Sequence, residues 1–89
     1  MAEPIRYRAA VLDQLLVHGI RPTAHTDPQL VRDYDRDLYK YEIRALRERY
    51  IRKEFPKLEY AARVDSLRRR YPVLALLPRE FVEPRTLEP

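Results

Sequence analysis

Residues 26–54 read TDPQLVRDYDRDLYKYEIRALRERYIRKE, and how this stretch starts, repeats and stops decides the fold. Asp27 stands before Pro28, so its carboxylate can accept the orphan N–H groups of a first helical turn while Pro28 occupies a position that needs no N–H. From 28 to about 54 the apolar residues keep helical spacing, which predicts one helix of roughly 25 residues, near 39 Å at 1.5 Å per residue. It carries two seams. Tyr34, Leu38, Tyr41 and Ala45 form one four-three-four series, and Tyr39, Ile43, Leu46 and Tyr50 form another, rotated by more than a quarter turn. A helix with two apolar faces calls for two neighbours. Asp33, Arg36, Asp37, Lys40, Arg44 and Arg47 fill the remaining face as a solvated mixture in which Asp37 and Lys40 can pair.

Working outward, Pro56 removes an N–H donor and pushes Phe55 out of helical geometry, so the long helix ends there. A third helix follows over about 57–71, with Tyr60, Val64, Leu67 and Tyr71 repeating the four-three-four spacing and Pro72 closing it. So few residues separate the two that the sequence predicts a sharp bend rather than a relaxed antiparallel hairpin. Upstream, Ile5, Ala9, Leu12 and Leu16 predict a first helix over about 4–18, with Leu15 widening the stripe. Gly19 is the only glycine; it closes that helix in the left-handed conformation, with Ile20 packing back. Residues 72–89 form a Pro-rich strap in which Val73 to Leu77, Phe81 and Val82 cover the core, and the last five or six residues are expected to be mobile. The reading is a single all-α domain over 1–89, a small three-helix domain with a long central helix. The first and third helices are expected to take its two seams, within one chain or across a dimer.

The chemical inventory is thin. The 89 residues contain no Cys, two His, one Ser, three Thr and one Gly. That excludes thiolate chemistry and every glycine-built phosphate cradle. Ser66 has no His nearby in sequence, and no nucleophile elbow is present. His18, His25 and Asp27 bracket one loop, but their spacing matches no metal site. His18 is read as a helix-end cation complementing the helix dipole and Asp27 as an N-cap. No cofactor, metal, small-molecule substrate or enzymatic activity is expected. No stretch approaches the ~18 apolar residues of a membrane span, and the interrupted apolar run after Arg6 and Arg8 is not a signal peptide, so a cytoplasmic location is expected.

Charge and aromatics point to binding. The net charge of +4 is uneven: residues 1–43 carry −1, residues 44–70 carry +6 and residues 71–89 carry −1. Fifteen of the eighteen basic residues are Arg, suited to bidentate pairing and stacking, and seven Tyr accompany them, the two side chains in which interfaces are enriched. The candidate binding residues are Arg44, Arg47, Arg52, Arg63, Arg68, Arg69, Arg70 and Tyr50. On an ideal helix Arg68, Arg69 and Arg70 point 100° apart, and Glu48, Glu54, Glu59 and Asp65 interrupt the field. The expected function is therefore a non-enzymatic protein-interaction or assembly module, a small accessory subunit or homodimer using an Arg/Tyr-rich helical surface. The alternative is a nucleic-acid-binding module using segment 44–70.

Overall fold

The computed structural model describes residues 4–84, and a single helix organises them. This helix, α2 (Pro28–Ile51), follows α1 (Ala9–Val17) and precedes α3 (Lys57–Arg69) and two 3₁₀ turns, Pro72–Ala75 and Pro78–Phe81. The Asp27 carboxylate accepts from the Gln29 N–H at 2.8 Å, the cap its position before Pro28 requires. Gly19 closes α1 at φ +76°. The Gly19 N–H donates to the Leu16 carbonyl and the Ile20 N–H to the Leu15 carbonyl, which together end the helix in a Schellman turn.

The first helix is shorter than the expected span of 4–18, because the backbone of residues 5–8 finds partners far away. Arg8 N–H donates to the Phe81 carbonyl, Glu83 N–H to the Arg6 carbonyl and Ile5 N–H to the Ala24 carbonyl, and Tyr7 faces Val82 in an isolated antiparallel bridge. These bonds satisfy the chain in an extended form, so helix begins only at Ala9. The buried stripe moves with it. Val11 and Leu15 enter the core while Ala9, Leu12 and Leu16 of the expected stripe stay exposed.

Two parts result. A base is built on Val11, Leu15, Val31, Val73 and Phe81, with Tyr7, Ile20, Leu76 and Val82 around them. Arg32 ties the first 3₁₀ turn to α2, its Nε and Nη2 donating to the Leu76 and Leu74 carbonyls at 2.8 and 2.9 Å. The strap is thus ordered as two turns through residue 84; the mobility expected for the final residues concerns 85–89, outside the described residues. From the base projects an arm in which α3 runs back along the second half of α2.

The arm is an antiparallel hairpin, contrary to the sharp bend expected. Tyr50 stacks on Tyr60 with centroids 4.4 Å apart, and Tyr39, eleven residues earlier, meets Tyr71, eleven residues later, edge-on at 5.2 Å. A constant register of this kind needs parallel axes. Five residues, 52–56, make the reversal, and Lys53 supplies the left-handed step at φ 62° that lets the helix end before Pro56 is reached. Overall dimensions are 60 × 20 × 17 Å with a radius of gyration of 16.6 Å, where a compact chain of 89 residues has about 12 Å.

Candidate functional site

A two-helix arm covers one face of each helix and leaves the opposite face bare. On α2 the covered face is the second seam: Tyr39, Ile43, Leu46 and Tyr50 are half-buried, with Tyr39 and Tyr50 on aromatic residues from α3 and beyond. The first seam is not covered. Tyr34 is 62% exposed, Tyr41 69% and Leu30, four residues before Tyr34, 64%, with Leu38 half-buried and Ala45 exposed. Within the chain, helix one does not take this seam, as one form of the expectation had it. Helix α1 ends at residue 17 and docks beside Val31 and Asp35 instead, some 60–100° around α2 from the Tyr34 line.

Three recesses border the bare stripe. One of about 230 Å³ is lined by Ile20, Pro22, Leu30 and Tyr34; a second of about 370 Å³ by Val17, His18, Leu38, Tyr41 and Tyr71, with Glu42 and Arg70. The third, about 430 Å³, runs between α2 and α3 over Tyr41, Ala45, Leu46 and Leu67, and Glu42, Arg49, Arg63 and Arg70 rim it. The stripe is therefore apolar along its centre line, with Glu42 and the arginines along its α3 side.

Its foundation is a junction at His18. His18 Nδ1 lies 2.7 Å from Asp35 Oδ1, its Nε2 lies 2.7 Å from the Arg70 carbonyl, and its ring stacks on Tyr71 at 4.1 Å. A carbonyl only accepts, so Nε2 carries a proton, and a second proton sits between Nδ1 and the carboxylate. Asp35 is fully buried, and its Oδ2 has no hydrogen-bond partner among the described residues. Burial raises the Asp35 carboxyl above its ordinary range, opposed by the hydrogen bond and charge of His18, with Glu42 adding to the rise. The Tyr71 hydroxyl donates to Glu42. Burial, followed by the Glu42 carboxylate, raises the Tyr71 phenol as well. The His–Asp pair joins α1, α2 and the end of α3, but its outer nitrogen is spent on a main-chain carbonyl and cannot take a substrate proton. His25 lies in the exposed loop, apart from His18. Among the described residues no group of three or more His, Asp or Glu is placed to hold a metal ion. No helix among them is long and apolar enough to cross a membrane.

The expected binding residues separate into groups. Arg63 and Arg70 converge on the α2–α3 groove, where Arg49 joins them. Arg63 also lies over the Phe55 ring at 4.6 Å and Arg49 over the same ring at 5.3 Å. Tyr50 stacks with Tyr60 beside that ring at the arm tip. Arg44 and Arg47 are exposed on the outer side of α2, and Arg68 and Arg69 on the outer side of α3, pointing elsewhere. Much of the basic field is neutralised locally: Arg49 and Arg52 pair with Glu54, Arg63 with Glu59 and Arg69 with Asp65. The Glu54 carboxyl is held below its ordinary range by the Arg49 hydrogen bond and then by Arg52. Asp37 approaches Arg36, at 3.9 Å, rather than the Lys40 expected.

Sequence reasoning missed Leu30, which continues the Tyr34 seam one turn earlier, and Arg49, which the spacing from Leu46 and Ala45 places at the groove. It also missed Asp35, whose four-three-four relation to Val31, Leu38 and Glu42 was a usable sign that it shares a buried edge. No known protein family, curated protein or solved structure matches the chain.

Proposed function

We propose that this chain is a non-enzymatic protein-interaction or assembly module that binds a helical segment along the bare face of α2. One observation carries the reading: Leu30, Tyr34, Leu38 and Tyr41 form a continuous apolar stripe on a rigid helix, Leu38 half-buried and the other three more than 60% exposed among the described residues. Such a stripe is expensive to leave in water, at roughly 25 cal/mol per Å² of apolar surface. The buried His18–Asp35 pair stiffens the helix beneath the stripe, and the recesses on either side accept side chains projecting from a docked helix. Arg70, the groove arginine outside the ion pairs that hold Arg49 and Arg63, fits a carboxylate on that helix. The nucleic-acid alternative draws less support, because Arg49, Arg52, Arg63 and Arg69 are already matched to carboxylates and the remaining arginines diverge.

The test is site-specific photocrosslinking in the native host with benzoyl-phenylalanine at Tyr34, at Tyr41 and, as control, at Arg69 on the outer side of α3. Protein adducts from the two tyrosine positions and none from Arg69 are expected. Equal labelling from all three, or none, overturns the reading.

A further inference from the structure

We infer that the occupant of the bare α2 face is a second copy of this chain, its α2 antiparallel to the first. The inference rests on the reading of α2 as an interaction face and goes beyond it by naming the partner. At 100° per residue, Leu30, Tyr34, Leu38, Tyr41 and Ala45 fall within an arc of about 80°. A two-fold axis through the middle of this stripe, between residues 39 and 40, places Leu38 opposite the partner's Tyr41 and Tyr34 opposite the partner's Ala45. Tyr34 then meets the small Ala45, Tyr41 packs on Leu38, and no tyrosine stands directly opposite another.

The charges agree with the same operator. One flank of the stripe is buried by the chain's own Val31, Asp35 and α3; the other is free and carries Asp33 and Asp37 in the first half of α2, Lys40 at its middle, and Arg44 and, farthest round, Arg47 in the second. Antiparallel pairing sets free flank against free flank, so Asp37 meets the partner's Arg44, and Asp33 meets the partner's Arg44 and Arg47. A parallel arrangement would instead set the free flank against the partner's opposite flank, which its own Val31, Asp35 and α3 already occupy, and would leave these charges unmatched. Asp33 and Asp37 lie 3.4 and 3.9 Å from Arg36 within the chain, in exposed pairs that exchange partners at little cost.

The elongated chain exposes 7190 Å², against roughly 5500 Å² for a compact protein of 10.8 kDa, so it carries more surface than its mass requires. Pairing of two arms yields a four-helix layer, α3–α2–α2–α3, in which both seams of α2 are covered.

Sedimentation of the full chain across micromolar concentrations tests this directly. Wild type is expected at twice the 10.8 kDa chain mass. D33R/D37R and R44D/R47D, all exposed or half-exposed positions, should each raise the dissociation constant at least tenfold while helical circular dichroism is unchanged. Mixing the all-basic and all-acidic variants should restore a heterodimer. A monomeric wild type at 100 µM, or charge swaps without effect, overturns self-pairing. Crosslinks from Tyr34 that map near the partner's Ala45 support it. Crosslinks from Tyr34 to a different protein overturn self-pairing while the interaction reading stands; no crosslinks from either tyrosine overturn both.

Discussion

Replacing His18 by Ala removes the partner of a fully buried carboxylate, and the structure sets the size of the effect. Asp35 has one hydrogen bond, to His18 Nδ1 at 2.7 Å, and its other oxygen is already unmatched. Losing one side of a buried ion pair costs about 3–5 kcal/mol, because the remaining charge keeps its desolvation penalty. At about 4–8 °C per kcal/mol for a chain of this size, the melting temperature should fall by on the order of 20 °C. The penalty should depend on pH with a definite sign. The Asp35 carboxyl is raised in the fold, mainly by burial, and without His18 nothing opposes that rise. A raised carboxyl supports the folded state below its unfolded value and loses that support as pH rises through the folded value. H18A should therefore be worst at neutral pH and recover part of its loss toward pH 4. D35A should cost less, about 1–3 kcal/mol, since His18 keeps its Nε2 bond to the Arg70 carbonyl and its stacking on Tyr71. H18L/D35L, which removes both charges, should be milder than H18A. Urea titrations followed by circular dichroism at pH 4, 5.5 and 7 measure all three. An H18A loss below about 1 kcal/mol with no pH dependence refutes the reasoning.

Three further outcomes are expected. Phe81→Ala, at a position with no exposure in the centre of the base, should destabilise by about 3–5 kcal/mol and release the Arg8–Phe81 backbone bond, read as faster amide exchange at Arg8. Gly19→Ala should cost about 1 kcal/mol in urea titration through the left-handed φ alone, because a Cβ there meets nothing within 4 Å. Burial, and then Asp27, pushes the Tyr7 phenol up to about 12, so the tyrosinate absorbance difference between wild type and Y7F should have its midpoint there. The support Tyr7 gives the fold is complete below pH 10 and is lost as pH rises through that value.

The boundaries that carry their own chemistry were legible in the sequence. Asp27-Pro28 starts α2 and Gly19 ends α1 because a cap and a left-handed residue act on their immediate neighbours. What the sequence hid depends on partners far along the chain. Residues 5–8 have the spacing of a helix, yet their backbone bonds go to residues 24 and 81–83, so local periodicity misplaces the start of α1 and chooses Leu12 and Leu16 over Val11 and Leu15. The two seams of α2 were visible, but which one the chain covers depends on α3 folding back at Lys53, a conformation that no side chain there announces. Asp35 sits in the run Asp33-Tyr34-Asp35-Arg36-Asp37, which reads as solvated, and its burial follows from contact with His18, seventeen residues earlier and immediately before Gly19.

The bridge between Tyr7 and Val82 also sets an order of assembly. The base cannot close until Phe81 and its neighbours exist, since the extended stretch before α1 and the shelf over Val11 and Leu15 both depend on them. The arm needs only α2, the turn at 52–56 and α3, all local in sequence, and local contacts form first. On a chain emerging from its N-terminal end, the projecting part with its tyrosine stripe is ready before the hydrophobic centre is sealed. The face proposed for pairing is thus formed from local contacts alone and does not wait for the monomer's own core to close.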